Sequence, residues 1–521
     1  MTNPSTLYRG GVLHCPADPS ATALLVSGGR IAWLGTDGDA PPADRVVDLG
    51  GALVTPAFVD AHVHATDTGL ALSGLDLSGV RSAGQLLDAV AGFAAGLPAD
   101  AVVLGHGWDE SVWSDASLPD GAALDRAAGG RRVYLAQASI HSALVSSALL
   151  AACPQVVEAA GYDASGWLRR DAHHVVRAAA QGSVSRAQRV AAQRVALSHA
   201  ASLGIAAVHE CGGPEISDEE DFTGLLGISG AGLPEVYGYW GEWGGAARAR
   251  ELGAVGAGGD LFADGALGAR TAHVSQAYED GDGCGHGYLS AEQVRDHLLD
   301  CAAHGLQGGF HAIGDAAVGT VLEGFAGAAR TVGVERLRAA RHRIEHAEIM
   351  TKRLIAGFVE YGVVASMQPA FDRLWGGAGR MYEARLGLDR SLESNPMGAM
   401  HSVGVALAFG SDSPVTPLDP WGSVRAAAAH HNPAQRMSVR AAFAAHTRGG
   451  WRAVHLDVEG VLALGAPATF AVWSTPAGVE RGLPVLLAED PELRGPQDPT
   501  PLPVCRSLVL RGEVIYEEGS S

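Results

Sequence analysis

Short apolar runs alternating with helix-patterned stretches constrain this chain more than any other feature. The runs are AFVDAHV (57–63), GIAAVHE (204–210), PEVYGYW (234–240), DLFAD (260–264), LQGGFHA (306–312), RHRIEHA (341–347), GVVASMQ (362–368) and GVALAFGSD (404–412). Segments such as SRAQRVAAQRVALSHAASL and SAEQVRDHLLDCAAHG sit between several of them with helical spacing. Strand–helix alternation repeated about eight times predicts an α/β chain folded as a (β/α)8 TIM barrel. With 521 residues, 47% of them hydrophobic, the chain can fill that barrel's core and carry additional parts.

Two regions fall outside the alternation. Residues 5–54, and the C-terminal stretches APATFAVWST and RSLVLRGEVIYEEG, read as short β segments with Gly-Gly and Asp-Gly turns, as in an antiparallel sheet. They predict a composite β-sheet domain, 1–55 plus 456–521, around a barrel at 56–455. The first and second runs are far apart, and the gap holds its own strand-like runs, AVVLGHGWDE and RRVYLAQAS. Residues of about 70–185 therefore read as a subdomain inserted after the first barrel strand, expected to overhang the barrel mouth.

Charge and cysteine usage narrow the setting. A net charge of −20 without a Lys/Arg stripe argues against nucleic acid or an anionic membrane as partner. Six scattered cysteines without a CxxC pair fit reduced thiols. The start, MTNPSTLYRGG, lacks a signal pattern, and no run approaches ~18 apolar residues. A cytoplasmic protein acting on a small molecule is the expectation, and Lys352 is its only lysine.

Chemistry on such a barrel sits at the C-terminal ends of the strands. The first run ends in His62-Val-His64, two imidazoles spaced to point the same way on an extended segment and to bind one metal. His311 ends the fifth run, His346 the sixth and Asp412 the eighth. Chance explains any one of these, and poorly explains all of them at strand ends.

At these residues the sequence resembles a known family. TPAFVDAHVHA, HAIGDAA, RIEHAE and FGSDSPV are similar to the metal-site signatures of the amidohydrolase superfamily. ADGALGART (263–271), SMQP (366–369) and PLDPW (417–421) resemble its amidohydrolase-3 branch, which includes N-substituted formamide deformylases. The resemblance runs from about residue 8 to 516. It implies a metal-dependent hydrolase acting on a carbon–nitrogen bond other than a peptide bond, with metal-activated water as nucleophile. His62, His64 and His311 would be metal ligands, and Asp412 both a ligand and the general base and acid. His346 would bind a second metal or polarise the scissile carbonyl. Nitrogen and oxygen ligands favour zinc over manganese, iron or nickel.

The sequence departs from the family at one position. Where many members carry a carbamylated lysine that bridges two metals, this chain has Asp260, and Lys352 follows the sixth run. The expectation is one metal held by His62, His64, His311 and Asp412, with His346 as electrophile. The alternative is that the Asp260 carboxylate bridges two.

Weaker signals complete the candidate site. His141 matches a family position near the active site, and either binds the substrate carbonyl or is a structural loop histidine. Trp108 either lines the pocket or belongs to the subdomain core. Asp264 and Arg270 either touch substrate or form a salt bridge that orders their loop. A ligand role for Glu210 ranks lower, and His173-His174 and His430-His431 read as surface histidines. Two other functions compete: deamination of an amino-substituted heterocycle, and a non-catalytic binding protein on the same fold. Homodimerisation is expected only by analogy with such barrels.

Overall fold

The computed structural model describes residues 4–113, 117–138, 142–490, 493–495 and 498–519. Eight parallel strands form one sheet in sequential order. They are β1 (Phe58–Val63), β2 (Ile205–Gly212), β3 (Glu235–Trp240), β4 (Gly256–Ala257), β5 (Gln307–Ala312), β6 (Arg343–His346), β7 (Val364–Met367) and β8 (Ala406–Phe409). The sheet closes where the backbone after β8 meets β1. Asp412 N–H donates to His62 O at 2.8 Å, and His64 N–H donates to Ser413 O at 2.9 Å. The molecule is thus the (β/α)8 barrel that the alternation predicts.

The fourth strand differs from expectation. DLFAD (260–264) was the apolar run there, yet the ladder forms at Gly256 and Ala257, which pair with Gln307 and Gly308. Two glycines then interrupt it, Gly258 with φ +147° and Gly259 with φ +78°. A Cβ on Gly258 would lie 2.2 Å from Gly309 N, so the backbones touch where only glycine fits. Pairing resumes afterwards, with Ala263 N–H donating to His311 O at 2.9 Å and His311 N–H to Leu261 O at 3.0 Å. Asp260 occupies the kink.

Strands from the two ends of the chain share a five-stranded sheet in the order Val12–Leu13, Leu53–Pro56, Phe470–Ser474, Val504–Leu510, Glu513–Glu517. A second sheet of four holds Arg30–Gly35, Ala23–Ser27, Ser5–Arg9 and Arg45–Asp48. It is mixed, not antiparallel as the turn signals suggest, because Ser5–Arg9 runs parallel to Arg45–Asp48. Tyr8, Leu24, Ile31, Val54, Phe470 and Val509 make a common core, with the Tyr8 and Phe470 rings edge to face at 5.1 Å.

The chain divides into two compact units: Met1–Ala65 with Leu197–Ser521, and Thr66–Ala196. The second has its own five-stranded sheet around Val103–Trp108 and Val133–Gln137, with a core that includes Leu86, Val90, Trp108, Leu135 and Leu144. Among the described residues no helix is long and apolar enough to cross a membrane.

Candidate metal centre

β1 delivers His62 from within the strand and His64 from just past its end. Their Nε2 atoms face the same two carboxylates. His62 Nε2 lies 3.4 Å from Asp260 Oδ2 and 3.4 Å from Asp412 Oδ1. His64 Nε2 lies 3.2 Å from each. Asp412 reaches this point because the backbone after β8 turns through φ +57°, which non-glycine residues rarely adopt. His346 and Ala347, at the end of β6, take φ +69° and +47°. Such conformations cost free energy and collect where function fixes a side chain's direction.

Asp260 stands between two groups of ligand atoms. Its Oδ1 is 3.3 Å from His311 Nδ1 and 3.6 Å from His346 Nε2, while Oδ2 faces His62 and His64. His62, His64, Asp260 and Asp412 therefore make one cluster able to hold a metal, and Asp260, His311 and His346 make another.

The outward ring nitrogens select the tautomers. His62 Nδ1–H donates to Glu345 Oε2 at 2.9 Å, and His346 Nδ1–H to Gln368 Oε1 at 2.9 Å. His311 is turned the other way, with Nε2–H donating to Gly265 O at 3.2 Å. In each case the lone pair of the second nitrogen is directed at Asp260, the arrangement in which an imidazole ligates a cation. Phe371 stacks on His346 at 5.9 Å with the rings 9° apart, fixing its plane.

The donor set fits a divalent cation on two counts. His62 Nε2 and His346 Nε2 are buried and make no hydrogen bond, a costly state for an imidazole nitrogen unless something else coordinates it. Burial by itself would raise the Asp260 pKa, yet the charge of His62 and the imidazoles of His311 and His346 close beside it hold it well below the usual carboxylate range. Burial would likewise lower His62, but the Asp260 and Asp412 carboxylates raise it well above the normal histidine value. The site demands positive charge, which metal ions supply. Cys211 and Glu345 form a third grouping with His62. Burial pushes the Cys211 thiol up, so it keeps its proton and is a poor ligand.

The other candidates are placed differently. Asp264 is buried and accepts backbone N–H bonds from Ile313 (2.9 Å), Gly314 (2.8 Å) and His273 (2.8 Å), bracing the loop after β5. Arg270 pairs through both arms with Asp280, at 2.9 and 2.8 Å, so its salt bridge is to Asp280 and not to Asp264. Trp108 lies in the core of the Thr66–Ala196 unit, its indole N–H bonded to Leu135 O at 2.8 Å. Glu210 accepts from Ala65 N–H at 2.7 Å. His141 lies outside the described residues.

Of the two pairs read as surface histidines, His174 is exposed as expected, whereas His173 and His430 are buried and contradict that reading. His430 is fully buried, with Nε2 3.3 Å from Asp372 Oδ1, and His431 Nδ1 is 3.0 Å from Asp372 Oδ2. His173 is buried against Tyr134, whose hydroxyl is 2.8 Å from Nε2. A carboxylate or a phenol at long sequence separation stabilises each ring, which spacing cannot reveal. Sequence reasoning also missed Gln368, Glu345 and Arg343. The available signal was RIE itself, two opposite charges on the same side of a strand whose surroundings exclude water.

Fold and site together define a barrel hydrolase whose strand ends gather imidazoles around shared carboxylates. The comparisons name the family: the model described as "Amidohydrolase family" matches residues 45–516. The chain belongs to this family, in its amidohydrolase-3 branch, and is an enzyme of the amidohydrolase type. It is 25% identical to the putative amidohydrolase YtcJ of Bacillus subtilis over a 565-residue alignment, covering 98% of this chain and 99% of that protein. It is 32% identical to N-substituted formamide deformylase of Arthrobacter pascens over 136 residues, 25% of each chain. An uncharacterized metal-dependent hydrolase from Pyrococcus furiosus shares the fold with a TM-score of 0.75 at 24% identity, over 90% of this chain and 98% of that one.

Proposed function

We propose that this enzyme hydrolyses a carbon–nitrogen bond other than a peptide bond, in an amide, formamide or N-acyl compound, at two metal positions sharing Asp260. The observation that carries the reading is the reach of the Asp260 carboxylate, one oxygen toward His62 and His64 and the other toward His311 and His346. His62, His64 and Asp412 would complete one position, and His311 and His346 the other. This revises the expectation of one metal with His346 standing back as an electrophile. His346 Nε2 approaches Asp260 Oδ1 at 3.6 Å, close to the 3.3 Å of His311, as a ligand would. Nitrogen and oxygen donors without a thiolate favour zinc. When bound, such a cation polarises a carbonyl oxygen and lowers the pKa of water.

Asp412 is the residue we assign to proton transfer. Its backbone is pinned to His62 O, and its Oδ1 stands beside both β1 imidazoles. From there a carboxylate can take a proton from attacking water and return it to the departing nitrogen, which otherwise leaves as a poor amide anion. A cavity of about 480 Å3 beside the fourth strand is lined by Asp260, Phe262, Tyr288, Trp243 and Glu215, with none of His62, His64, His311, His346 or Asp412 in its wall. The partial similarity to N-substituted formamide deformylase puts formamides first among substrates to try.

Metal analysis by plasma mass spectrometry, on protein purified without chelators, tests the site. About two zinc equivalents, reduced in Asp260→Ala, are expected; full activity with one equivalent would overturn the shared carboxylate. Product analysis tests the reaction. A carboxylate plus an amine from N-acyl substrates supports it, whereas ammonia alone from amino-heterocycles would replace it with deamination.

A further inference from the structure

Inside a TIM barrel the inward positions are ordinarily filled by branched apolar side chains. On β6 they are Arg343 and Glu345, both fully buried. Alternation along the strand sends these two side chains inward and Ile344 outward. Arg343 binds Glu345 with two nitrogens: Nε donates to Oε1, and NH2 donates to Oε2 at 2.8 Å. The same guanidinium donates to Ala61 O of β1, to Ser366 Oγ of β7 at 2.8 Å and to His209 Nδ1 of β2 at 3.0 Å. Its plane rests on the Tyr239 ring of β3, 4.3 Å from the centroid. One side chain therefore fastens the interior faces of β1, β2, β3, β6 and β7. Glu345 uses the oxygen shared with NH2 to accept His62 Nδ1–H at 2.9 Å.

We propose that Glu345 and Arg343 are positioning residues that fix His62 as a metal ligand, Glu345 by holding its tautomer and ring plane and Arg343 by holding Glu345. The inference rests on the metal reading given above. Two carboxylates lie 3.4 Å from His62 Nε2 without a hydrogen bond to it, and the closer Glu345 Oε2, 2.9 Å from Nδ1, is the acceptor that keeps the proton on Nδ1. Gln368 and the Gly265 carbonyl serve His346 and His311 through neutral oxygens. His62 alone receives a carboxylate, which also makes its imidazole a stronger donor. A carboxylate could not sit at this depth unpaired, and Arg343 is the charge that permits it.

The test is zinc affinity, measured by competition with a chromophoric chelator on wild type and Glu345→Gln. Glutamine keeps an acceptor for His62 but removes the charge and the two-point grip of Arg343. The zinc dissociation constant is expected to rise on the order of 10-fold or more, in the range found for lost outer-shell partners. A purely structural role would lower the melting temperature of the metal-free protein and leave that constant within twofold of wild type, which would overturn the proposal. Should Glu345→Gln fail to fold, Arg343→Lys retains the cation while losing the planar fork, and the same constant decides. A wild-type chain that takes up no zinc would remove the metal reading and this inference together. A wild-type chain that binds zinc no better than the variants overturns this inference alone.

Discussion

At the scale of single residues, the centre separates ligands from the groups behind them. Asp412→Asn keeps a ligating oxygen and the backbone turn but loses the proton acceptor. Turnover is expected to fall by about 10²–10⁴ with little change in melting temperature, read by steady-state kinetics beside a thermal scan. Arg343→Met should act in the opposite way. It strands Glu345 as a buried unpaired carboxylate, and breaking such a pair from one side costs about 3–5 kcal/mol, measurable by urea unfolding of metal-free protein. His342, one residue before β6, supplies a pH prediction. It accepts from Gly308 N–H at 2.7 Å, and burial pushes its pKa down to about 3. The folded state therefore holds it neutral, whereas the unfolded chain protonates it near the ordinary histidine value of 6.5. Its contribution is present above pH 6.5 and declines as the pH falls, by about 2 kcal/mol at pH 5. His342→Gln should flatten the loss of stability between pH 7 and 5; an unchanged profile would reject the assignment.

At the scale of elements, the kinked fourth strand is where sequence and structure part company. Seven strands carry apolar runs at the positions the alternation marks, since burial alone dictates them. The fourth has its ladder in Gly-Ala and its apolar run past the kink, because glycine packing of Gly258 against Gly309 matters more there than side-chain hydrophobicity. Pattern reading weighs side chains and cannot see a fit between two backbones. The proposed ligand positions were legible because His62, His311 and His346 each close a run and Asp412 follows the last one. Asp260 was legible only as the alternative, a carboxylate bridging two metals, since its placement depends on the kink that turns it inward. Gly258→Ala is expected to cost at least ~1 kcal/mol and to lower zinc content, because the forced shift moves Asp260. Full zinc loading in that variant would show that the kink has no part in placing the carboxylate.

At the scale of the whole molecule, the five-stranded sheet joins Leu53–Pro56, which leads directly toward β1, to Phe470–Ser474 and Val504–Leu510. Gly204, at the entrance to β2, is pressed against Trp473 from the same sheet, where a Cβ would meet the ring at 2.3 Å. Phe58 of β1 meets Trp473, Trp421 and Phe443 edge to face. The terminal strands are thus continuous with the packing beneath the barrel. Truncation after residue 503 should expose Phe470 and Val509's neighbours and give insoluble protein, judged by soluble yield and size exclusion. A monodisperse, zinc-loaded truncation would contradict this.

The seam of the barrel adds a consequence for biosynthesis. Asp60 holds Ser411 across 351 positions of sequence, and the two ligand-bearing ends, His62 and Asp412, meet beside that bond. A nascent chain exposes its HxH pair early, with nothing yet available to close the ring around it. The proposed centre is complete only after the eighth strand has emerged and docked on the first, so metal capture there would report that translation has passed the barrel's last strand and that the circle is shut.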